Sequence, residues 1–141
     1  MYQNCNSLTE IDMTVFSGKN INITSLFSGC TSLRNIRFGQ NKILAFSTSF
    51  ENCFNLETLD ISGFDVSSVD SMAKTFEGCK TLKTLILPEV FDTSKVTTMN
   101  SMFKNCPLLS LDCSNWDTTS LTGIDYTFNQ GSSGVIAPVI K

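Results

Sequence analysis

The 141-residue chain contains no histidine. That absence removes Ser-His-Asp and Cys-His nucleophilic arrangements. The patterns G-x-x-x-x-G-K-S/T, G-x-G-x-x-G and G-x-S-x-G are missing too, so no phosphate loop or nucleophile elbow is readable. No CxxC pair occurs, and with it goes the Cys/His spacing of a tetrahedral zinc site. No apolar run approaches the roughly 20 residues of a spanning helix. No basic segment followed by an apolar one marks a signal peptide at Met1. Charged residues make up only 16% of the chain, which has a net charge of −3 and a pI near 4.8. Its basic residues are scattered, which argues against nucleic acid and an anionic membrane surface as partners.

What is present is a repeat. An aromatic residue, two residues, a cysteine, two residues and a leucine recur in order. The copies are Tyr2–Cys5–Leu8, Phe27–Cys30–Leu33, Phe50–Cys53–Leu56 and Phe76–Cys79–Leu82. A fifth, Phe103–Cys106–Leu108, reads as one residue shorter, and a sixth at Phe128 has lost its cysteine. The aromatic returns after 25, 23, 26, 27 and 25 residues. Periods of this length mark a solenoid, whose coils bury their apolar faces only against each other. Low charge suits such stacking. Solenoids mostly present surfaces and seldom perform chemistry.

Within one repeat, Leu59 and Ile61 alternate with Thr58, Asp60 and Ser62, the signature of a short half-buried strand. Ile11/Met13, Ile36/Phe38, Leu85/Leu87 and Leu111/Cys113 are the matching inward pairs, so each coil adds one strand to a parallel sheet. A turn follows, carrying an apolar plug: Phe64, Phe91 and Trp116, expected to stack along the array. Val69, Met72 and Phe76 then fall at i, i+3 and i+7. Val96/Met99/Phe103, Leu121/Ile124/Phe128 and Ile43/Phe46/Phe50 repeat the spacing, which predicts a helix of about two turns. Ser67 followed by Asp70 fits a relaxed capping box at its start, with Ser94 and Thr119 as caps in later coils.

This pattern resembles the leucine-rich-repeat class, and more closely the roughly 26-residue repeat of BspA-like bacterial surface proteins. Residues 50–128 carry the resemblance through Leu56–Met72 and Phe76–Cys79; residues 1–49 match at the corner and strand. The fold it implies is an α/β repeat: a leucine-rich-repeat solenoid with a parallel sheet on one face and short helices on the other. Residues 1–128 would form about five coils, and residues 129–141 a degenerate terminal repeat or a linker. Val135–Ile140 could supply a last edge strand, blunted by Pro138. No polar capping unit precedes the first motif, so the chain reads as a piece of a longer protein. The resemblance also implies a cell-surface or secreted bacterial protein acting in adhesion and host contact.

Cys5, Cys30, Cys53, Cys79 and Cys106 are one site in successive coils, and Cys113 takes a strand slot. Stacked coils lie roughly 5 Å apart, but parallel side chains make a disulfide dihedral hard to reach. A ladder of buried free thiols with weak bonds to backbone carbonyls is the favoured reading over disulfides. Asp65, Asp92 and Asp117 recur at a turn, where Asp bonds its own backbone. Calcium would need several oxygens converging within ~2.6 Å. The strand acids are too widely spaced for that, and no metal or cofactor is implied. Asn22–Thr24 matches a glycosylation sequon by pattern alone.

The remaining candidate is the exposed sheet face. Its outward columns are Glu10, Asn35, Thr58, Thr84, Ser110 and Asp12, Arg37, Asp60, Ile86, Asp112. The expected function is a non-catalytic binding module for a protein or host-surface ligand. The alternatives are a structural spacer in a larger surface protein and an intracellular scaffold. End-to-end self-association of an uncapped array is a further expectation.

Overall fold

A computed structural model describes residues 2–127 and 134–139. The chain winds into a β-solenoid of about five turns. Its strands are β1 (Glu10–Asp12), β2 (Asn20–Asn22), β3 (Asn35–Arg37), β4 (Asn41–Ala45), β5 (Thr58–Asp60), β6 (Phe64–Asp65), β7 (Thr84–Ile86), β8 (Ser110–Asp112) and β9 (Gly134–Ile136). All pairings are parallel and join equivalent segments of successive coils: β1 with β3, β2 with β4, β4 with β6, β5 with β7 and β8 with β9. Ile11 faces Ile36, Leu59 faces Leu85, and Leu111 faces Val135. The central residue of each of these strands points inward and its two neighbours outward, as the strand alternation predicts.

The expected helices are not formed. Among the described residues the one helical element is a 3-10 turn at Thr14–Phe16. The reason lies in where the backbone N–H groups go. Those of Met72, Lys74, Phe76 and Gly78 donate to carbonyls of Thr98, Asn100, Met102 and Lys104 in the next coil. Between them, Thr75, Glu77 and Cys79 donate three residues back within their own coil. Ile23 to Cys30 repeats the scheme against Ala45 to Glu51. Every second donor is thus committed to a neighbour, whereas an α-helix would keep all of them within the segment. The segment is a succession of tight turns whose inward residues share the i, i+3, i+7 spacing of a helix.

That path needs left-handed backbone twice per coil. One position precedes the cysteine: Asn4, Gly29, Asn52, Gly78 and Asn105, with φ between 58° and 75°. Gly and Asn tolerate this conformation best. The other lies two residues before the corner aromatic: Ser25, Thr48, Lys74, Ser101 and Tyr126, with φ between 54° and 59°. Each non-glycine there costs of order 1 kcal/mol. The inter-coil bonds from Ser25, Thr48, Lys74 and Ser101 hold it in place.

The capping box is also absent. The N–H of Ser67 donates to Asp65 Oδ1 at 3.0 Å, Ser94 to Asp92 at 3.0 Å and Thr119 to Asp117 at 2.8 Å. These are Asx turns, as expected for the three aspartates.

The core is a set of columns. Tyr2, Phe27, Phe50, Phe76 and Phe103 stack ring on ring, with centroids 5.7–5.8 Å apart and planes within 13°. That separation exceeds the ~4.8 Å strand spacing, so successive rings are offset, the favoured geometry for parallel aromatics. Leu33, Leu56 and Leu82 form the leucine column, fully buried. In the fifth coil the buried leucine is Leu109, while Leu108 is half exposed. The corner there keeps its full spacing, with Pro107 and Leu108 between Cys106 and the core leucine. The plug column is only partly continuous. Phe91 packs on Trp116 at 5.0 Å, while Phe64 packs edge-on against Phe38 at 4.8 Å and Phe46 at 6.0 Å. Its counterpart in the previous coil is Asn41, buried, donating from Nδ2 to the carbonyls of Phe16 and Lys19. Phe128, the sixth corner aromatic, lies outside the described residues, as does Ile140.

Candidate functional site

The ten outward residues of the strand face are all exposed. Strand register brings Glu10 beside Asn35, Asp12 beside Arg37, Thr58 beside Thr84 and Asp60 beside Ile86. Ser110 and Asp112 stand beside Gly134 and Ile136. Ile136, Arg34, Glu57 and Lys83 also belong to this surface, and the column pattern missed them. Arg34 and Glu57 each sit one residue before their strands, where inward–outward alternation no longer marks them.

Two ion pairs cross this face. Arg37 forms an ion pair and hydrogen bond with Asp12. Lys83 reaches Glu57 across the next strand pair at 3.1 Å. The three aspartates have a second task. Asp12 accepts from Thr14 N–H at 2.9 Å, Asp60 from Ser62 N–H at 2.9 Å and Asp112 from Ser114 N–H at 2.9 Å. Each closes the turn that leaves its strand. The Thr14 hydroxyl and N–H, then Arg37, hold the Asp12 carboxyl down at about 2. Ser114 lowers Asp112 in the same way. Neither Asp12 nor Asp112 is poised as a proton donor near neutral pH.

Strand pairing on this face is interrupted. Met13 N–H donates to the Arg37 carbonyl, and Ile61 N–H to the Ile86 carbonyl. Among the described residues no such bond joins β3 to β5 or β7 to β8. Between the ends of β3 and β5 the face opens into a hollow of about 530 Å³, rimmed by Arg37, Gln40, Asp60 and Ser62. A second hollow of about 560 Å³ lies over β1 and β3. Coil spacing alone gives no sign of either.

The cysteines are all free. The thiol of Cys30 donates to the carbonyl of Tyr2 at 2.9 Å, Cys53 to Phe27 at 3.2 Å, Cys79 to Phe50 at 3.1 Å and Cys106 to Phe76 at 2.9 Å. Each therefore pins one corner to the corner aromatic of the coil before. Burial pushes Cys53, Cys106 and Cys113 up to about 12, and raises Cys30 and Cys79 as well. Protonated and enclosed, these thiols lack the thiolate character of a nucleophile or metal ligand. Among the described residues no three His, Cys, Asp or Glu side chains converge as a metal site. Nor is any described helix long and apolar enough to cross a membrane.

Parallel coils, stacked aromatic and thiol columns and a polar strand face define a repeat protein of the β-solenoid class. The chain belongs to the family described as Mycoplasma protein of unknown function, DUF285, whose family model matches residues 1–89 and again 44–134. Overlapping matches in two registers are what a repeated unit gives. No curated protein and no solved structure matches the chain.

Proposed function

We propose that this chain is a non-catalytic binding module of a bacterial cell-surface protein, akin to the BspA-like leucine-rich-repeat proteins. It engages a protein or host-surface ligand through its strand face. One observation carries the reading. The corner columns of aromatic, cysteine and leucine keep their residue types from coil to coil, whereas the outward column changes from Asp12 to Arg37, Asp60, Ile86 and Asp112. Packing demands the first kind of repetition and leaves the second free to be shaped by a partner.

Protease shaving of intact producing cells, followed by mass spectrometry, tests the location. Peptides from this array are expected before lysis; their appearance only after lysis overturns the surface assignment. Charge reversal at Arg37, Asp60 and Asp112 then tests the face. Binding that survives all three changes removes the face as the site. Absence of any ligand leaves the spacer role.

A second reading, an intracellular scaffold, is favoured by six unpaired cysteines, since reducing compartments keep thiols free. Burial of five of the six weakens that argument, because enclosed thiols resist oxidation in either compartment.

A further inference from the structure

We propose that the hollow between β3 and β5 binds a neutral saccharide. The inference rests on the reading of the strand face as the recognising surface and names its ligand class. Its volume of about 530 Å³ falls in the range of small-ligand sites. The lining is a mixture of hydroxyls, an amide, a carboxylate and a guanidinium: Thr14, Ser17, Ser62, Gln40, Asp60 and Arg37. Such a set offers donors and acceptors side by side, which adjacent sugar hydroxyls require because each is both. Asp60 spends Oδ1 on Ser62 N–H and keeps Oδ2 as an acceptor. Arg37 is neutralised by Asp12 yet retains further N–H donors. No second cation stands in the lining, so a phosphate or other strong anion is poorly matched.

The floor fits the same ligand. Phe38 lines the hollow and is half buried, its ring packed against Phe27, Phe50 and Phe64, so the part left exposed adds an apolar patch beside the polar groups. Its N–H also lacks the inter-coil bond that Met13 and Ile61 make, leaving a backbone donor at the opening. An extended peptide is a poorer occupant, because strand addition needs a running edge. Here the seam beyond β3 closes after three residues, Phe38 to Gln40. Asn41 N–H bonds the Gly63 carbonyl at 3.0 Å, and a side chain on Gly63 would collide with the Gly39 carbonyl. The hollow is short and dead-ended, suited to a compact polyol.

Saturation-transfer NMR on the purified chain with free glucose, galactose, mannose and N-acetylglucosamine is the test. Transfer to at least one sugar is expected, with Kd in roughly the millimolar range. Asp60→Asn and Gln40→Ala should each weaken it about tenfold or more, as expected for loss of a direct polar contact. Asp92→Asn is the control: it changes the same kind of turn acid, bonded to Ser94 N–H, outside the hollow and off the strand face, and should leave binding unchanged. No transfer to any sugar, or equal weakening by Asp92→Asn, overturns the site. Retention of the protein on animal cells whose glycans have been oxidised with periodate overturns the saccharide class while leaving a binding module standing. Sugar binding without retention on any cell supports the site and counts instead against the surface-adhesion reading.

Discussion

The corner columns and the strand face are built from the same coils under opposite rules. At the corner each side chain meets its own counterpart. Phe50 touches Phe27 and Phe76 at 5.7 Å, and each thiol from Cys30 to Cys106 bonds a corner carbonyl of the preceding coil. On the strand face the outward side chains are exposed and most stand beside a neighbour of different chemistry, as Arg37 does beside Asp12, although Thr58 faces Thr84. Repetition of one residue type therefore reports a stacking constraint. Departure from repetition marks where the fold imposes none, and there a partner has room to act.

The largest expected break between the two regions is alkaline. Burial raises the folded-state values of the corner and strand thiols above the ordinary 9.0, to about 12 for Cys53, Cys106 and Cys113. Between those values the folded state holds protons that the unfolded state has released. Stability is therefore fully present below about pH 9 and falls as pH rises. Each strongly buried thiol contributes a slope of about 1.4 kcal/mol per pH unit. Urea midpoints from pH 7 to 10.5 should drop steeply beyond pH 9; a flat profile would mean the thiols ionise within the fold. Phe76→Ala should cost about 3–5 kcal/mol, because it opens a cavity between two stacked rings. A urea titration showing a loss below ~1 kcal/mol would break the corner assignment. Gly78→Ala should cost about 1–2 kcal/mol, since φ is +75° and the new methyl meets the Asn52 side-chain oxygen. Thr84→Ala, on the strand face, should stay within about 0.5 kcal/mol in the same titration. A larger loss there would show that packing also constrains the face.

Most of the architecture was legible in the residues. The aromatic–cysteine–leucine spacing located every described corner, and strict alternation located β1, β3, β5, β7 and β8. The helices were not legible because two different backbones place residues 69, 72 and 76 on one side. What separates them is the destination of the N–H groups, which depends on a neighbouring coil. The Gly or Asn before each corner cysteine is a residue type that takes left-handed backbone readily, whereas Ser25, Thr48, Lys74, Ser101 and Tyr126 give no such sign. Leu108 drew the corner leucine one place early because Leu109 follows it directly. The ten outward residues were legible from period two alone. The hollow was not, because it arises where β3 and β5 fail to pair, a property of two coils together.

The direction of the inter-coil bonds has a mechanical meaning. In the turn segments, donors point toward the following coil and carbonyls back toward the preceding one. Those bonds run along the stack, parallel to any load applied between its two ends. Tension would load every junction in series, and the weakest would yield first, so that coils peel singly. Each released coil of about 25 residues adds roughly 80–90 Å of slack chain. A molecule so built is a spring that lengthens in discrete steps, holding its remaining coils intact while the outermost yields.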